Sequence, residues 1–255
     1  MNNENNLVDI IMPNFNKGNF LEKAINSVIN QTFKRWHLYI IDDNSNDISK
    51  IIIHKFKSIK NITIINLKKT EGPGFCRNYV INKTSSKYIS FLDSDDYWNK
   101  DKLKEQIEFM EENNYSFSYS DYVPFTEKNG NEYLKKKVIV PSSFNFEKFT
   151  KNTSIAMSSV VIQRSVLGEI KFENLKICED YLYKCEILKK IGNAFKCPNV
   201  LMYYRITSNS LQSSKLRNVF WIWLINKNHN KFTIFQNLKS IFLISINSLK
   251  KYGFK

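Results

Sequence analysis

The sequence predicts an α/β fold, with a mixed, mostly parallel sheet flanked by helices and a basic helical C-terminal tail. Three observations predict it. Over the first hundred residues, short runs rich in β-branched and aromatic residues alternate with amphipathic stretches, the pattern of strand–helix–strand units closing a parallel sheet. At 255 residues, with 42% hydrophobic, 14% aromatic and 24% charged residues, the chain can bury a sizeable core and is too apolar for disorder. The charge is lopsided: Glu186 is the last acidic residue, and twelve of the 38 Lys and Arg lie beyond it. The expected division is therefore residues 1–214 for an α/β domain and 215–255 for the tail.

Leu7 to Met12, Trp36 to Ile41, Ile62 to Asn66 and Lys87 to Leu92 are short, apolar and bounded by turn residues, and each is expected to be a strand. Phe20, Leu21, Ala24, Ile25, Val28 and Ile29 fall at helical spacing in the first crossover, and Ile48, Ile51, Ile52, Phe56 and Ile59 in the second. Asp47 is the expected N-cap of the latter. Past the fourth strand the alternation changes. Asp101 is positioned to cap a helix to about Asn113, and Tyr115 to Val123 followed by the Asn129-Gly130 turn reads as a hairpin. Ser158 to Ile162 is a strand candidate, Cys178 to Ile191 a helix and Val200 to Arg205 a final strand. Beyond Ser214 the pattern is basic, aromatic and helical.

Several classes drop out. Cys76, Cys178, Cys185 and Cys197 show no C-x-x-C spacing and the three histidines are scattered, which argues against a zinc site. Met1 to Asn6 is polar, the apolar run after it stops at Pro13, and no run approaches about 18 apolar residues. The expected location is cytoplasmic with reduced thiols, extending to a peripheral place on the inner face of the cell membrane. The formal charge of +14 sits almost wholly in the tail, since residues 1–186 carry only +2. Val219 to Ile225, with Trp221 and Trp223, and the stripe Phe235, Leu238, Phe242, Ile246 and Leu249 with interspersed lysines have the makeup of an interfacial helix. Residues 219–255 are therefore expected to meet an anionic membrane surface; the alternative is packing on the core or on a second subunit. No nucleic-acid motif is present, and rows of aspartates do not suit a phosphate-facing surface, so no nucleic-acid partner is expected. Nothing sets an oligomeric state.

In open α/β sheets, ligands bind outside the carboxyl ends of the strands. Here those ends are acidic: Asp42-Asp43-Asn44-Ser45-Asn46-Asp47 after the second strand and Asp93-Ser94-Asp95-Asp96 after the fourth. Two such clusters on one edge repel, and a bound cation or ligand donors would relieve them. Asp93 and Asp95 at i and i+2 can point the same way in extended chain and grip one ion. Their oxygens suit Mg²⁺ or Mn²⁺, which typically sits between one or two carboxylates and substrate phosphates, so the implied partner is a diphosphate. The alternative is a turn that caps the next helix.

Five segments in this order resemble glycosyltransferase family 2, the inverting enzymes of the GT-A fold, over about residues 7–210. They are Val8 to Asn16, Ile41 to Asp47, Gly72 to Asn78, Phe91 to Trp98, and Glu179-Asp180. The chain departs from the family pattern with Phe15 where Tyr is common, Asn44 where Gly is common and Cys76 where Ala is common, none of which removes a charge. The resemblance implies a nucleotide-diphosphate sugar donor, with uridine the family-weighted base, and a cell-surface glycan or lipid-linked acceptor. It implies that Pro13, Phe15 and Asn16 line the base pocket, with Asp42 accepting from the base. Arg77 would lie near base and phosphate, Asp93 near the ribose or metal-bound water, and Asp95 would ligate Mn²⁺ or Mg²⁺. Asp180 would be the general base, with Glu179, Asp96 and Trp98 near the sugar or acceptor. Tyr204 to Ser210 resembles a segment whose arginine, here Arg205, and serine close over the diphosphate. A nucleotidyltransferase on a similar sheet is the rival, but it would carry a glycine-rich basic loop after the first strand, where only Lys17 and Gly18 stand.

Overall fold

The structure, a computed structural model, describes residues 6–207 and 215–252. Its first half is the predicted alternation: β1 (Val8–Asn14), α1 (Gly18–Ile29), β2 (Trp36–Asp42), α2 (Ser49–His54), β3 (Ile62–Asn66), α3 (Pro73–Ile81) and β4 (Tyr88–Phe91). β1 pairs in parallel with β2 and β4, and β2 with β3. Val8, Ile10, Ile11 and Met12 are fully buried, as expected for a central strand paired with β2 and β4 and covered on both faces.

The second half adds β5 (Tyr97–Trp98), α4 (Lys102–Asn113), β6 (Phe117–Lys128), β7 (Asn131–Leu134), β8 (Ser143–Asn145), α5 (Phe146–Phe149), β9 (Val161–Gln163), α6 (Glu179–Ile191) and β10 (Asn193–Arg205). The strands form a ten-stranded sheet of order β3-β2-β1-β4-β9-β6-β10-β5, with β7 on β6 and β8 on β10. β9 runs antiparallel to β4 and β6 and joins the halves. The β6–β7 hairpin turns at Asn129 and Gly130, both with positive φ, as the Asn-Gly pair predicts.

Four expectations are corrected in detail. The second crossover helix stops at His54, and tight turns carry the chain on to Ile59. Asp101 does not cap α4: its carboxylate accepts from the Thr32 hydroxyl, while Gln31 Oε1 accepts the Leu103 amide. Met157–Ser159 is a 3₁₀ turn rather than the start of a strand. β10 starts earlier than Val200 and carries register shifts after Cys197, where Pro198 has no N–H for the ladder. Asp47 does reach the Ser49 amide, at 2.8 Å, and also accepts from the Gly18 amide at 2.9 Å. One carboxylate thus serves the first turns of both α1 and α2. A Cβ on Gly18 would lie 2.5 Å from Ile48 Cγ1 and 2.9 Å from the Ser49 nitrogen, so that close approach requires glycine.

The tail is α7 (Lys215–Asn228) and α8 (Ile234–Tyr252). It packs on the rest of the chain. Asn226 is buried and accepts from the Tyr181 hydroxyl of α6 at 2.8 Å, while its own amide reaches Asn237 and Ser240 of α8. Ser240 donates to the Thr150 carbonyl and Asn247 to that of Lys151. No described helix is long and apolar enough to cross a membrane.

Candidate active site

The loops after β1, β2 and β4 meet at the carboxyl edge of the sheet, as strand polarity requires. Behind β2, charge is absorbed by local donors. Asn14 Nδ2 donates to Asp42 Oδ1 at 2.9 Å, and the Ser45 amide to Asp42 Oδ2 at 3.1 Å. Asp43 accepts the amides of Glu71 and Gly72, both at 2.8 Å. Gly72 holds φ +90° as it opens α3, a conformation that glycine adopts without strain. Asn16, also at positive φ, ties Ser45 and Asn46 to the β1 loop. Beside this network Phe15 stands 47% exposed.

Behind β4, charge is met by cations. Arg77 on α3 is buried; its Nη2 donates to Asp93 Oδ1 at 2.8 Å and its Nη1 to Glu179 Oε1 at 2.9 Å. Its Nε meets no acceptor among the described residues. Lys17 Nζ lies 2.7 Å from Asp95 Oδ2. Asp96 is buried, accepting from the Ser158 hydroxyl at 2.7 Å and from the Arg205 amide at 2.9 Å. Its carboxyl is raised well above the ordinary range, first by burial and then by the charges of Asp95 and Asp93.

The acid pair at the head of α6 is split. Burial raises the Glu179 carboxyl; Arg77 offsets this only in part, and the Asp180 charge adds to it. Burial pushes Asp180 upward too, but the Lys184 ammonium at 2.8 Å, with help from Arg77, outweighs it and holds Asp180 below the usual carboxylate range. Asp180 therefore stays charged where Glu179 gains a proton more readily, the separation that lets neighbouring carboxylates take different roles.

The structure thus gathers Pro13, Phe15, Asn16, Asp42, Arg77, Asp93, Asp95, Glu179 and Asp180 around one edge, and it buries several of the other expected site side chains or engages them with protein partners. Asp42 is fully buried with both oxygens engaged, so a nucleobase could reach it only by opening the Asn14–Ser45 network. Trp98 is core: its Nε1 donates to the Ser158 carbonyl at 2.7 Å. Asp96 is buried with both carboxylate oxygens engaged by the protein. The Arg205 guanidinium is taken by Glu127 and the Asp95 carbonyl, and lies over the rings of Phe20 and Phe125. Ser208 and Ser210 of its segment lie outside the described residues. From the sequence Asp43 and Lys17 carry no role of their own in the site, and Lys184 is not marked at all. The second Asp of the Asp-Asp pair was visible, but the two lysines carry no local signal, and Lys17 meets Asp95 from 78 residues away.

Among the described residues, no group of three or more His, Cys, Asp or Glu converges in a metal-holding geometry. The chain offers Asp95, with Asp93 beside it, 37% exposed along its side chain. That donor set suits a hard cation that keeps waters and substrate phosphates as its other ligands, and the Lys17 ammonium on Asp95 already shows a positive charge accommodated there.

The sheet order, the acidic edge and the acid pair facing it define a glycosyltransferase of the GT-A fold. The chain belongs to glycosyltransferase family 2: the family model "Glycosyl transferase family 2" matches residues 9–170. Among curated relatives, TuaG of Bacillus subtilis (strain 168), provisionally named a teichuronic acid biosynthesis glycosyltransferase, is 32% identical over 226 residues, 88% of this chain and 89% of the relative. WfgD of Escherichia coli, a UDP-Glc:α-D-GlcNAc-diphosphoundecaprenol β-1,3-glucosyltransferase, is 33% identical over 218 residues, 85% of this chain and 84% of the relative. Staphylococcus aureus TarS (residues 1–349), solved with UDP-GlcNAc, superposes with a TM-score of 0.72 at 18% identity, covering 95% of this chain and 72% of that one. The mannosyltransferase PcManGT of Pyrobaculum calidifontis, solved with GDP-Man and Mn²⁺, gives 0.69 at 10% identity, covering 95% and 73%.

Proposed function

We propose that this glycosyltransferase moves a sugar from a nucleotide-diphosphate sugar, a UDP-sugar first, to a hydroxyl of a cell-surface glycan or lipid-linked oligosaccharide, with inversion at the anomeric carbon. The observation that carries the reading is the Arg77 bridge. One buried guanidinium joins Asp93 to Glu179, so the carboxylates of the donor side stand beside the Glu179-Asp180 pair at a single edge. Residues 1–214 perform the transfer and 215–255 form the tail. The name of WfgD supports a UDP donor and a diphosphoundecaprenol-linked acceptor, which would set the reaction at the cytoplasmic face of a membrane. UDP-GlcNAc in TarS points to the same base.

Phe15 offers an exposed ring for the base to lie on, bordered by Pro13 and Asn16. Asp95, with Asp93, would hold the divalent ion. Mn²⁺ or Mg²⁺ bound there supplies charge against the departing diphosphate. Asp180, kept charged by Lys184, takes the proton of the acceptor hydroxyl as its oxygen bonds to the anomeric carbon and the bond to the diphosphate breaks. Arg77 fixes the distance between the two acid groups.

The test incubates the purified chain with UDP-glucose, UDP-N-acetylglucosamine or GDP-mannose and a diphosphoundecaprenol-linked GlcNAc acceptor, with Mn²⁺ or Mg²⁺. Release of UDP coupled to a β-linked product from an α-linked donor is expected. An α-linked product would overturn the inverting assignment, turnover with GDP-mannose alone the uridine assignment, and no nucleoside diphosphate release from any donor the reading as a whole.

A further inference from the structure

The first half of the last helix turns large apolar side chains to solvent and buries polar ones. An amphipathic helix normally turns its apolar stripe to the core. On α8 the inward face carries polar residues among the apolar ones: Asn237, Ser240 and Asn247 make the contacts to Asn226, Thr150 and Lys151 described above, with Ile241 and Ile244 packed beside them. On the opposite side Phe235, Leu238, Phe242, Ile246 and Leu249 recur at i, i+3, i+7, i+11 and i+14. The first three are 85%, 54% and 65% exposed. On α7, Leu216 and Phe220 are exposed as well. The tryptophans expected to anchor the tail are not the leading groups: Trp221 packs against the core and Trp223 is half-buried.

The inner polar contacts explain the inversion. Asn226, Asn237 and Ser240 satisfy one another and the Tyr181 hydroxyl while buried, and a buried polar group is tolerated only when so paired. That network fixes the rotation of α8 and leaves Phe235, Leu238 and Phe242 in water, while Ile246 and Leu249 further along are half-buried. Contiguous exposed apolar surface of this kind marks an interaction site.

Charge selects the occupant. Lys231 precedes the stripe, Lys239 and Lys250 flank it, and no acidic residue follows Glu186. A second copy docking stripe to stripe would bring the same lysines against these. An anionic lipid surface supplies both what the rings lack and what the ammonium groups lack: an acyl boundary for Phe, and phosphate headgroups for Lys. The helix, 19 residues and so about 28 Å long, would lie along that surface. The geometry points to α8 as an in-plane membrane-docking helix that inserts Phe235, Leu238 and Phe242 into an anionic leaflet, with α6 and its acid pair held behind it. This surface is separate from the donor site, so its failure would leave the transferase reading intact.

Flotation of the full chain with phosphatidylcholine vesicles, with and without phosphatidylglycerol, tests it. The unaltered chain should float with the anionic vesicles at low salt and be released by high salt. The triple variant Phe235→Ser/Leu238→Ser/Phe242→Ser should lose at least about tenfold in bound fraction with an unchanged unfolding midpoint. If that variant unfolds, Lys239→Glu/Lys250→Glu, which leaves the stripe in place, should weaken binding to the anionic vesicles by on the order of tenfold. The proposal is overturned if the unaltered chain ignores both vesicles, or if folded variants float as it does. It is also overturned if light scattering shows a dimer that the triple variant dissociates, which would put a second copy on the stripe.

Discussion

Two acidic runs end neighbouring strands, and they look alike in the sequence, yet the protein meets their charge by different means. Asp42 and Asp43, behind β2, accept only neutral donors: the Asn14 amide and the backbone N–H groups of Ser45, Glu71 and Gly72. Asp93 and Asp95, behind β4, face the full charges of Arg77 and Lys17. Neutral donors satisfy a carboxylate's hydrogen bonding and fix its position. A lysine ammonium on a partly exposed carboxylate occupies a place where another cation can stand. The first run shapes the loops; the second is the one to which the proposed ion is assigned.

Substitutions can separate the two. Asp95→Ala should lower transfer on the order of 10³-fold and remove metal-dependent donor binding, while leaving the unfolding midpoint nearly unchanged; unaltered calorimetric affinity for donor plus Mn²⁺ would remove Asp95 from the metal. Asp180→Asn should cost roughly 10²-fold or more in kcat with donor affinity retained, and near-normal turnover would unseat it as the base. Asp43→Ala should behave in the opposite sense, losing about 2 kcal/mol of stability because two half-buried amides lose their acceptor. Denaturant unfolding measures this, and a loss no larger than that of Asp95→Ala would erase the distinction drawn between the runs. The smallest effect is on pH dependence. Lys184 holds the Asp180 carboxyl down, so the charged form is favoured in the fold; the stability this contributes is present above the ordinary carboxylate range and lost as pH falls through the lowered value. In Lys184→Met the carboxyl rises, and the acid limb of kcat/KM should move up by about one pH unit. An unmoved limb would mean that a different group titrates there.

The parallel half was legible because each of its strands is a short apolar run between turn residues and each crossover is local. The edge that carries the site followed from strand polarity, and the acid runs marked it. What local pattern could not supply was side-chain direction. Trp98 is aromatic and follows the Asp93–Asp96 run, but a carbonyl 60 residues later draws its indole inward. Arg205 has a guanidinium near the right loop, yet Glu127, 78 residues earlier, holds it. Asp42 and Asp43 are adjacent and identical, and only the position of Asn14 and of the Glu71–Gly72 turn decides which amides each receives. The stripe on α8 was readable as periodicity; that it faces outward depends on Asn226, Asn237 and Ser240 finding one another across two helices.

Asn226 joins parts of the molecule that a linear description keeps apart. Its carbonyl oxygen receives the hydroxyl of Tyr181, the residue next to Asp180, while its amide holds the two polar residues that orient the final helix. Exchanging the C-terminal segment for that of a relative would then be a graft with a defined seam: Tyr181 and Thr150 on one side, Asn226 and Ser240 on the other. A donor segment lacking its half of that seam would leave the Tyr181 hydroxyl without its acceptor, one residue from the carboxylate proposed to take the proton.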